Sequence, residues 1–346
     1  MSQPPITYRD AGVNIDAQDE ALALSKKAIR STFTPGVISD VGLFGGLFDM
    51  ARMGCEGQIL VASADGVGTK LDVAKKVGIF DSVGADLVNH CINDILVQGA
   101  RPLFFMDYVG TGKLEPNVVA GLITGCANAC RESGVALLGG ETAEMPGLYA
   151  DGDFDLVGFI VGAVARDKVL DGKAVKAGQK LLGLGSAGLH TNGYSLARKV
   201  LFERLGMSLD DRPEAFGGKS VAEALLAPHR SYLELLWPLL EENRLASMAH
   251  ITGGGLLDNL PRVLGSNDAI IDYDSWERPG LFKTLVDGAG IDRDEAHRAF
   301  NMGIGMVLIV EPDEEAAVRA HLDAQGEAVY ALGELVAGEG KVRWAS

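Results

Sequence analysis

The sequence predicts an α/β (α+β) protein of two domains, and three observations carry that expectation. Short apolar runs of strand character alternate with helix-period segments along the whole chain. Glycine, at 45 residues, repeatedly stands at the ends of those runs. A charged, turn-rich stretch at residues 166–178 separates two such alternating halves, giving domains at 1–168 and 169–346.

In the first half, residues 59–63 read as a buried strand that runs into Asp65-Gly66-Val67-Gly68-Thr69-Lys70. The set Leu87, Val88, Cys91, Ile92, Ile95 and Leu96 has helical spacing over 86–98, with Gly99 as its stop. Residues 103–109 form a second strand, 118–131 a helix with Gly134 just past it, and 135–138 and 156–164 two more strands. In the second half, 180–184 is a strand and 194–205 a helix ended by Gly206. Residues 225–242 carry two helical pieces around Pro228 and Pro238. The segments 256–264, 269–271, 306–310, 314–323 and 329–332 then alternate helix and strand. Neither a 20–50-residue repeat nor a low-complexity tract is visible.

Composition narrows the function. Thirty-one basic against 47 acidic residues give a net charge of −16, so nucleic acid and anionic membrane are poor partners. Phosphorylated small molecules remain open, because glycine amides, a few cations and Mg²⁺ suffice to hold them. Cys55, Cys91, Cys126 and Cys130 show no zinc spacing and read as core thiols. No stretch approaches a membrane span, and Met1-Ser2-Gln3-Pro4-Pro5 lacks a signal-peptide pattern. A cytoplasmic enzyme is expected.

The motifs carry the chemistry. Asp65 is placed at a strand end as a hard oxygen ligand for Mg²⁺, with Gly66, Gly68 and Thr69 beside a polyphosphate and Lys70 as a positive clamp. The glycine spacing is not that of a Walker A loop; the plainer alternative is a tight turn capped by an aspartate. Asn89 and Asn93, and His90 and Asp94, are each four apart and form a polar helical stripe. Asp94 is a second candidate metal ligand, although such a stripe also suits an ordinary solvent face. Gly139-Gly140-Glu141-Thr142 follows an apolar strand and offers Glu141 as a third carboxylate. Gly42, Gly45 and Gly46 lie among bulky residues and read either as a lid whose amides wrap phosphates or as a packed turn.

Gly183-Leu184-Gly185-Ser186-Ala187-Gly188 matches a dinucleotide fingerprint, but its context does not, since His190-Thr191-Asn192-Gly193 continue as loop. His190, Asn192, Gly193 and Ser195 read instead as a polar substrate cradle at a helix start. His250, Thr252, Gly253, Gly254 and Gly255 repeat the idea. A lone histidine is more often structural; two, each before a glycine-bearing helix start, favour ligand handling.

Together these segments resemble the phosphoribosylformylglycinamidine cyclo-ligase (aminoimidazole ribonucleotide synthetase) family. The resemblance spans Tyr8-Arg9-Asp10-Ala11-Gly12-Val13, the Asp65 turn, residues 88–100, 139–147, 190–196, 250–255 and 300–306, in family order. It implies a PurM-like fold: an N-terminal ATP-binding domain whose four-stranded sheet pairs across a homodimer into a barrel, and a C-terminal α/β sandwich. It also implies a site in the cleft between the domains, with parts possible from a partner subunit. The reaction implied takes formylglycinamidine ribonucleotide and ATP to aminoimidazole ribonucleotide, ADP and phosphate, through a phosphorylated amide. On this basis Asp65, Asp94 and Glu141 hold Mg²⁺–ATP, and Lys70 and Asp94 join His190, the first choice for proton transfer, as catalytic residues. Lys27 is an anion-binding candidate, with Lys26 equally placed by sequence. Transient contacts with neighbouring purine-pathway enzymes fit the same reading.

The rivals are sibling kinases and a non-catalytic nucleotide-binding scaffold. Selenophosphate synthetase would carry a reactive cysteine or selenocysteine beside a lysine in the N-terminal glycine loop, which residues 36–46 lack. Thiamine-monophosphate kinase lacks a run like His190-Thr191-Asn192-Gly193-Tyr194-Ser195-Leu196, and formylglycinamidine ribonucleotide synthetase needs a glutaminase. Retention of all three acids and Lys70 argues against a scaffold.

Overall fold

A computed structural model describes residues 15–37, 50–54 and 59–345. The chain divides into two compact units, Met1–Cys91 with Pro102–Ala163, and Ile92–Arg101 with Val164–Ser346.

The first unit holds α1 (Ile15–Arg30), β1 (Ile59–Gly66), α2 (Lys70–Val77), most of α3 (Asp81–Leu96), β2 (Arg101–Thr111), α4 (Pro116–Glu132), β3 (Ala136–Glu144) and β4 (Phe154–Val164). Its strands form one sheet in the order β1-β4-β2-β3. The β2 and β3 strands are parallel, as a helical crossover through α4 requires, with Asp107 opposite Gly140 and Tyr108 opposite Glu141. α4 starts with Pro116 at its first turn, where a missing N–H costs nothing, and buries Val119, Leu122, Cys126 and Cys130 along one stripe. α3 buries Val83, Leu87, Val88 and Cys91 in the same way. These two helices meet backbone on backbone. A Cβ on Gly84 would overlap the Leu122 carbonyl oxygen, and one on Gly125 the Asp81 carbonyl oxygen. The Cys126 thiol donates to Gly84 O at 3.4 Å across this crossing.

The second unit holds β5 (Lys180–Gly185), α5 (Tyr194–Arg198), α6 (Val221–Leu225), α7 (Leu233–Glu241), β6 (Ser247–His250), α8 (Gly255–Asn259), α9 (Pro261–Leu264) and β7 (Asn267–Ile271). It continues through α10 (Gly280–Ala289), α11 (Arg293–Ala299), β8 (Ile304–Val310), α12 (Glu315–Asp323), β9 (Val329–Ala337) and β10 (Val342–Trp344). The sheet order is β10-β7-β9-β5-β8-β6. All seven residues of β8 are buried, which explains its unbroken apolar run. A core of Leu181, Ile251, Leu256, Leu260, Trp276, Val307 and Leu332, among others, ties the sheet to its helices.

Several expectations change in detail. The helix expected at 194–205 is α5 followed by a π-helical stretch, Lys199–Arg204. Pro238 lies inside α7 instead of dividing two pieces, and α6 ends before Pro228. β5 is antiparallel to both β8 and β9, so the glycines after it do not open a parallel nucleotide-binding crossover. No helix among the described residues is long and apolar enough to cross a membrane.

Candidate functional site

Each unit assembles one cluster of the residues singled out in sequence. In the first, β1 ends at Gly66, Gly68 turns the chain at φ 68°, and α2 begins at Lys70. Asp65 Oδ1 accepts the Gly66 N–H at 2.6 Å, and its Oδ2 lies 2.7 Å from Nε2 of His90 on α3. The ring is buried while the Asp65 carboxylate is 40% exposed, so its charge is oriented from behind and open in front. Gly68 and Thr69 are exposed beside it.

Lys70 takes a different position from the one its sequence suggests. Its side chain is wholly buried, with Nζ 2.6 Å from Asp86 Oδ2. Burial lowers the ammonium pKa and the Asp86 charge opposes that shift. The cation therefore braces the turn from within. Glu141 is exposed on β3. Lys27 is exposed on the last turn of α1, whereas Lys26 is partly covered. Gly42, Gly45, Gly46, Cys55 and the Tyr8–Val13 run lie outside the described residues.

Sequence reasoning passed over Asp107. It sits in the middle of β2, and burial pushes its carboxyl up to about 7. Gly140 makes room for it, because a Cβ there would collide with the Asp107 carboxylate. Cys126 and Cys130 on α4 are raised well above the ordinary thiol value, by burial first and the Asp107 charge second. They are inert core thiols, and the signal that marked the place was one carboxylate inside the apolar run Phe104-Phe105-Met106-Asp107-Tyr108-Val109.

The second cluster gathers the two histidine-bearing loops. His190 adopts φ 60°, and its Nε2 accepts the Ala187 N–H at 3.2 Å. Gly193 has φ 79° and lies against Phe300 so closely that no Cβ fits. The Asn192 side chain approaches Gly253 of the other loop: a Cβ on that glycine would stand 3.1 Å from Asn192 Oδ1. Ser195 is exposed at the start of α5. Asn259, another residue missed in sequence, donates to the carbonyls of Thr252, Gly253 and Gly255 and fixes the glycine loop. Thr252 Oγ1 in turn donates to Asn259 Oδ1 at 3.2 Å.

Asp94, near the end of α3, accepts from His250 Nδ1 at 2.8 Å and is 25% exposed. A third histidine, His229, completes this cluster. Its ring stacks on His190 at 4.0 Å between centroids, and its Nε2 lies 3.0 Å from His250 Nε2. Nitrogens of His190, His229 and His250 all lie within 4.8 Å of one another. The neighbouring Arg230 bridges both oxygens of Glu327, and Tyr232 donates its hydroxyl to Gly185 O at 2.7 Å.

Comparison with known proteins follows the same division. The model of the AIR synthase related protein N-terminal domain matches residues 45–164, and that of the C-terminal domain residues 176–345. A phosphoribosylformylglycinamidine cyclo-ligase of Trichlorobacter lovleyi is 46% identical over 336 residues, covering 97% of this chain and 96% of that protein. One from Alkaliphilus metalliredigens is 43% identical over 343 residues, with 99% of each covered. Among solved structures, thiamine-monophosphate kinase from Stenotrophomonas maltophilia has the same fold, at TM-score 0.72, 18% identity and coverage of 94% and 95%. Hydrogenase maturation protein HypE in complex with ATP gives 0.67, at 17% identity and coverage of 97% and 93%.

Proposed function

The chain belongs to the phosphoribosylformylglycinamidine cyclo-ligase family, and from that premise we propose how its residues divide the work of an ATP-dependent ring closure. The enzyme is a ligase of purine biosynthesis that converts formylglycinamidine ribonucleotide to aminoimidazole ribonucleotide. The observation that carries this reading is the near-full-length match to curated relatives of that name.

The formyl amide oxygen is a poor leaving group, so ATP phosphorylates it. A nitrogen of the same molecule then attacks that carbon, and phosphate departs as the ring closes. Both partners belong to one substrate, so holding a reactive conformer supplies much of the rate. Phosphoryl transfer needs charge stabilisation and positioning more than covalent help.

In the first unit, the amides of Gly66 and Gly68 and the Thr69 hydroxyl meet phosphate oxygens. Lys70 holds the turn's shape through Asp86. Asp65 and Glu141 are hard carboxylate donors, partly and fully exposed, of the kind that suits Mg²⁺, and Asp94 of the second unit is a third donor of the same kind. When bound, that ion supplies charge neutralisation on the phosphates. In the second unit, Asn192, Gly193, Ser195, Thr252 and Gly253–Gly255 hold the substrate, with His190 and His250 as the groups that handle protons. Lys27, the more exposed of the α1 pair, binds an anionic group.

The same reading makes the enzyme a homodimer, and an exposed apolar pair on the first sheet supports it. Leu60 on the edge strand β1 and Phe159 on the adjacent β4 are 53% and 43% exposed, large apolar side chains left uncovered. A second copy of the chain covers it, and sedimentation of Leu60→Glu as a monomer is the expected result.

The function is tested with formylglycinamidine ribonucleotide, ATP and Mg²⁺, following ADP and the aromatic amine together. Equal amounts of both are expected. ADP without amine would point to a sibling kinase, and nucleotide binding without turnover to a scaffold.

A further inference from the structure

His229 is wholly buried between the two histidines that the motifs picked out, and nothing in the reaction as described uses it. We propose that His229 is a positioning residue that locks His250 in the tautomer with its proton on Nδ1, and so sets the hydrogen-bond direction from the Asn192 loop to Asp94. The proposal rests on reading the 190–193 and 250–255 loops as the substrate-handling part of the enzyme.

The Asp94 carboxylate only accepts, so its 2.8 Å contact puts a proton on His250 Nδ1. In neutral His250, Nε2 is then an acceptor. The partner at 3.0 Å is His229 Nε2, which donates to that lone pair in this tautomer. His229 therefore carries its proton on Nε2, and its Nδ1 accepts from the Thr191 hydroxyl at 3.3 Å. Thr191 Oγ1 is left as an acceptor for Asn192 Nδ2, at 3.4 Å. Every donor in the series Asn192, Thr191, His229 and His250 points towards Asp94.

Surrounding residues hold this order. Asn93 Oδ1 accepts the Tyr232 N–H at 3.0 Å and its Nδ2 donates to Arg230 O at 2.8 Å, which fixes the backbone on both sides of Ser231. Asn93 Nδ2 also lies 3.3 Å from His229 Nε2; both atoms are donors in this order, so the approach is not a hydrogen bond, and the Asn93 amide donates to Arg230 O instead. Thr191, His229 and His250 are 7%, 0% and 5% exposed, so water does not re-partner them. The three imidazoles also raise the question of a metal ion. The His190 and His229 rings are stacked, 21° from parallel, so their in-plane lone pairs run side by side instead of converging on one point. Hydrogen bonding fits that arrangement better.

The test uses the full-length protein labelled with ¹⁵N-histidine, and two variants. In the wild type, ¹H–¹⁵N correlation is expected to show His250 protonated on Nδ1 and His229 on Nε2. His229→Phe keeps the ring but loses the donor; His250 then samples both tautomers, and kcat falls about tenfold while KM moves less than about threefold. His229→Gln places an amide donor near the same point and recovers most of the loss. Thr191→Val, which frees the His229 tautomer, replaces the Phe variant should that one fail to fold. The idea fails if wild-type His250 is protonated on Nε2, or if His229→Phe leaves its signals and kcat unchanged. Equal loss in both His229 variants with unchanged His250 signals would also overturn it, as would one equivalent of zinc in the purified protein. The spectra do not depend on the substrate, so they test the tautomer even if the assay for ring closure fails.

Discussion

The two Asp–His pairs, one in each cluster, use the same side chains with the imidazole turned opposite ways. Asp65 engages His90 through Nε2 and also takes the Gly66 N–H. Its ring is hidden and its carboxylate exposed. Asp94 engages His250 through Nδ1, which turns Nε2 inward to His229. The first arrangement uses a histidine to orient a carboxylate, whereas the second uses a carboxylate to orient a histidine. Preorganised charge outside and preorganised imidazole within are separate catalytic assets, and the same pair of residues supplies either.

The largest expected effect lies on the carboxylate side. Asp65→Asn keeps the Gly66 contact but removes the charge, and ATP turnover should fall by about a thousandfold. Its melting temperature should barely move, because Asn keeps the side chain's shape and the carboxylate is 40% exposed. A loss of less than tenfold in steady-state kcat/KM would break the comparison at its first term. Next comes His90→Phe, which leaves Asp65 charged but unsupported. A loss of about 10–100-fold in activity or Mg²⁺ affinity is expected, partly restored by more Mg²⁺. Absence of any Mg²⁺ dependence in that variant would assign His90 to packing alone.

The smallest effect on turnover concerns Asp107, which lies in the core of β2 and reads out in stability instead. Its folded pKa, about 7, exceeds the ordinary 3.8. The folded chain therefore binds a proton that the unfolded chain releases. The resulting stability is present in full below about pH 4 and is lost as pH rises to about 7, beyond which the loss is constant. It amounts to at most about 4 kcal/mol. Asp107→Asn should melt higher than wild type at pH 8 and lose that advantage at pH 4. A difference in melting temperature that is independent of pH would contradict this sign.

What could be read in the sequence and what could not follows from the range of the interactions. Strands β2, β4 and β8 announce themselves as apolar runs, and α3 and α4 by periodicity, because those signals are local. Ser247–His250 is one strand of only four residues, all buried, too short to show alternation. α10 begins at Gly280, directly after its N-cap Pro279, a pair that reads as a turn. Within the site, His190, Asn192, His250 and the Asp65 turn were legible because each carries its own glycines. His229 was not, since its neighbours His190 and His250 reach it only through the tertiary fold. Burial of Lys70 was equally hidden, as its partner Asp86 lies more than four turns of helix-length away in sequence and on another element.

The glycine crossing of α3 and α4 has a consequence for redesign. Elsewhere in a core, a designer exchanges large and small side chains until the volume balances. At Gly84 and Gly125 there is no side chain to exchange, and the neighbours are carbonyl groups held by their own helices. The spacing of α3 and α4 is thus set by two absent methyl groups. Loops and outer faces can be rewritten around that fixed point, but it cannot itself be tuned.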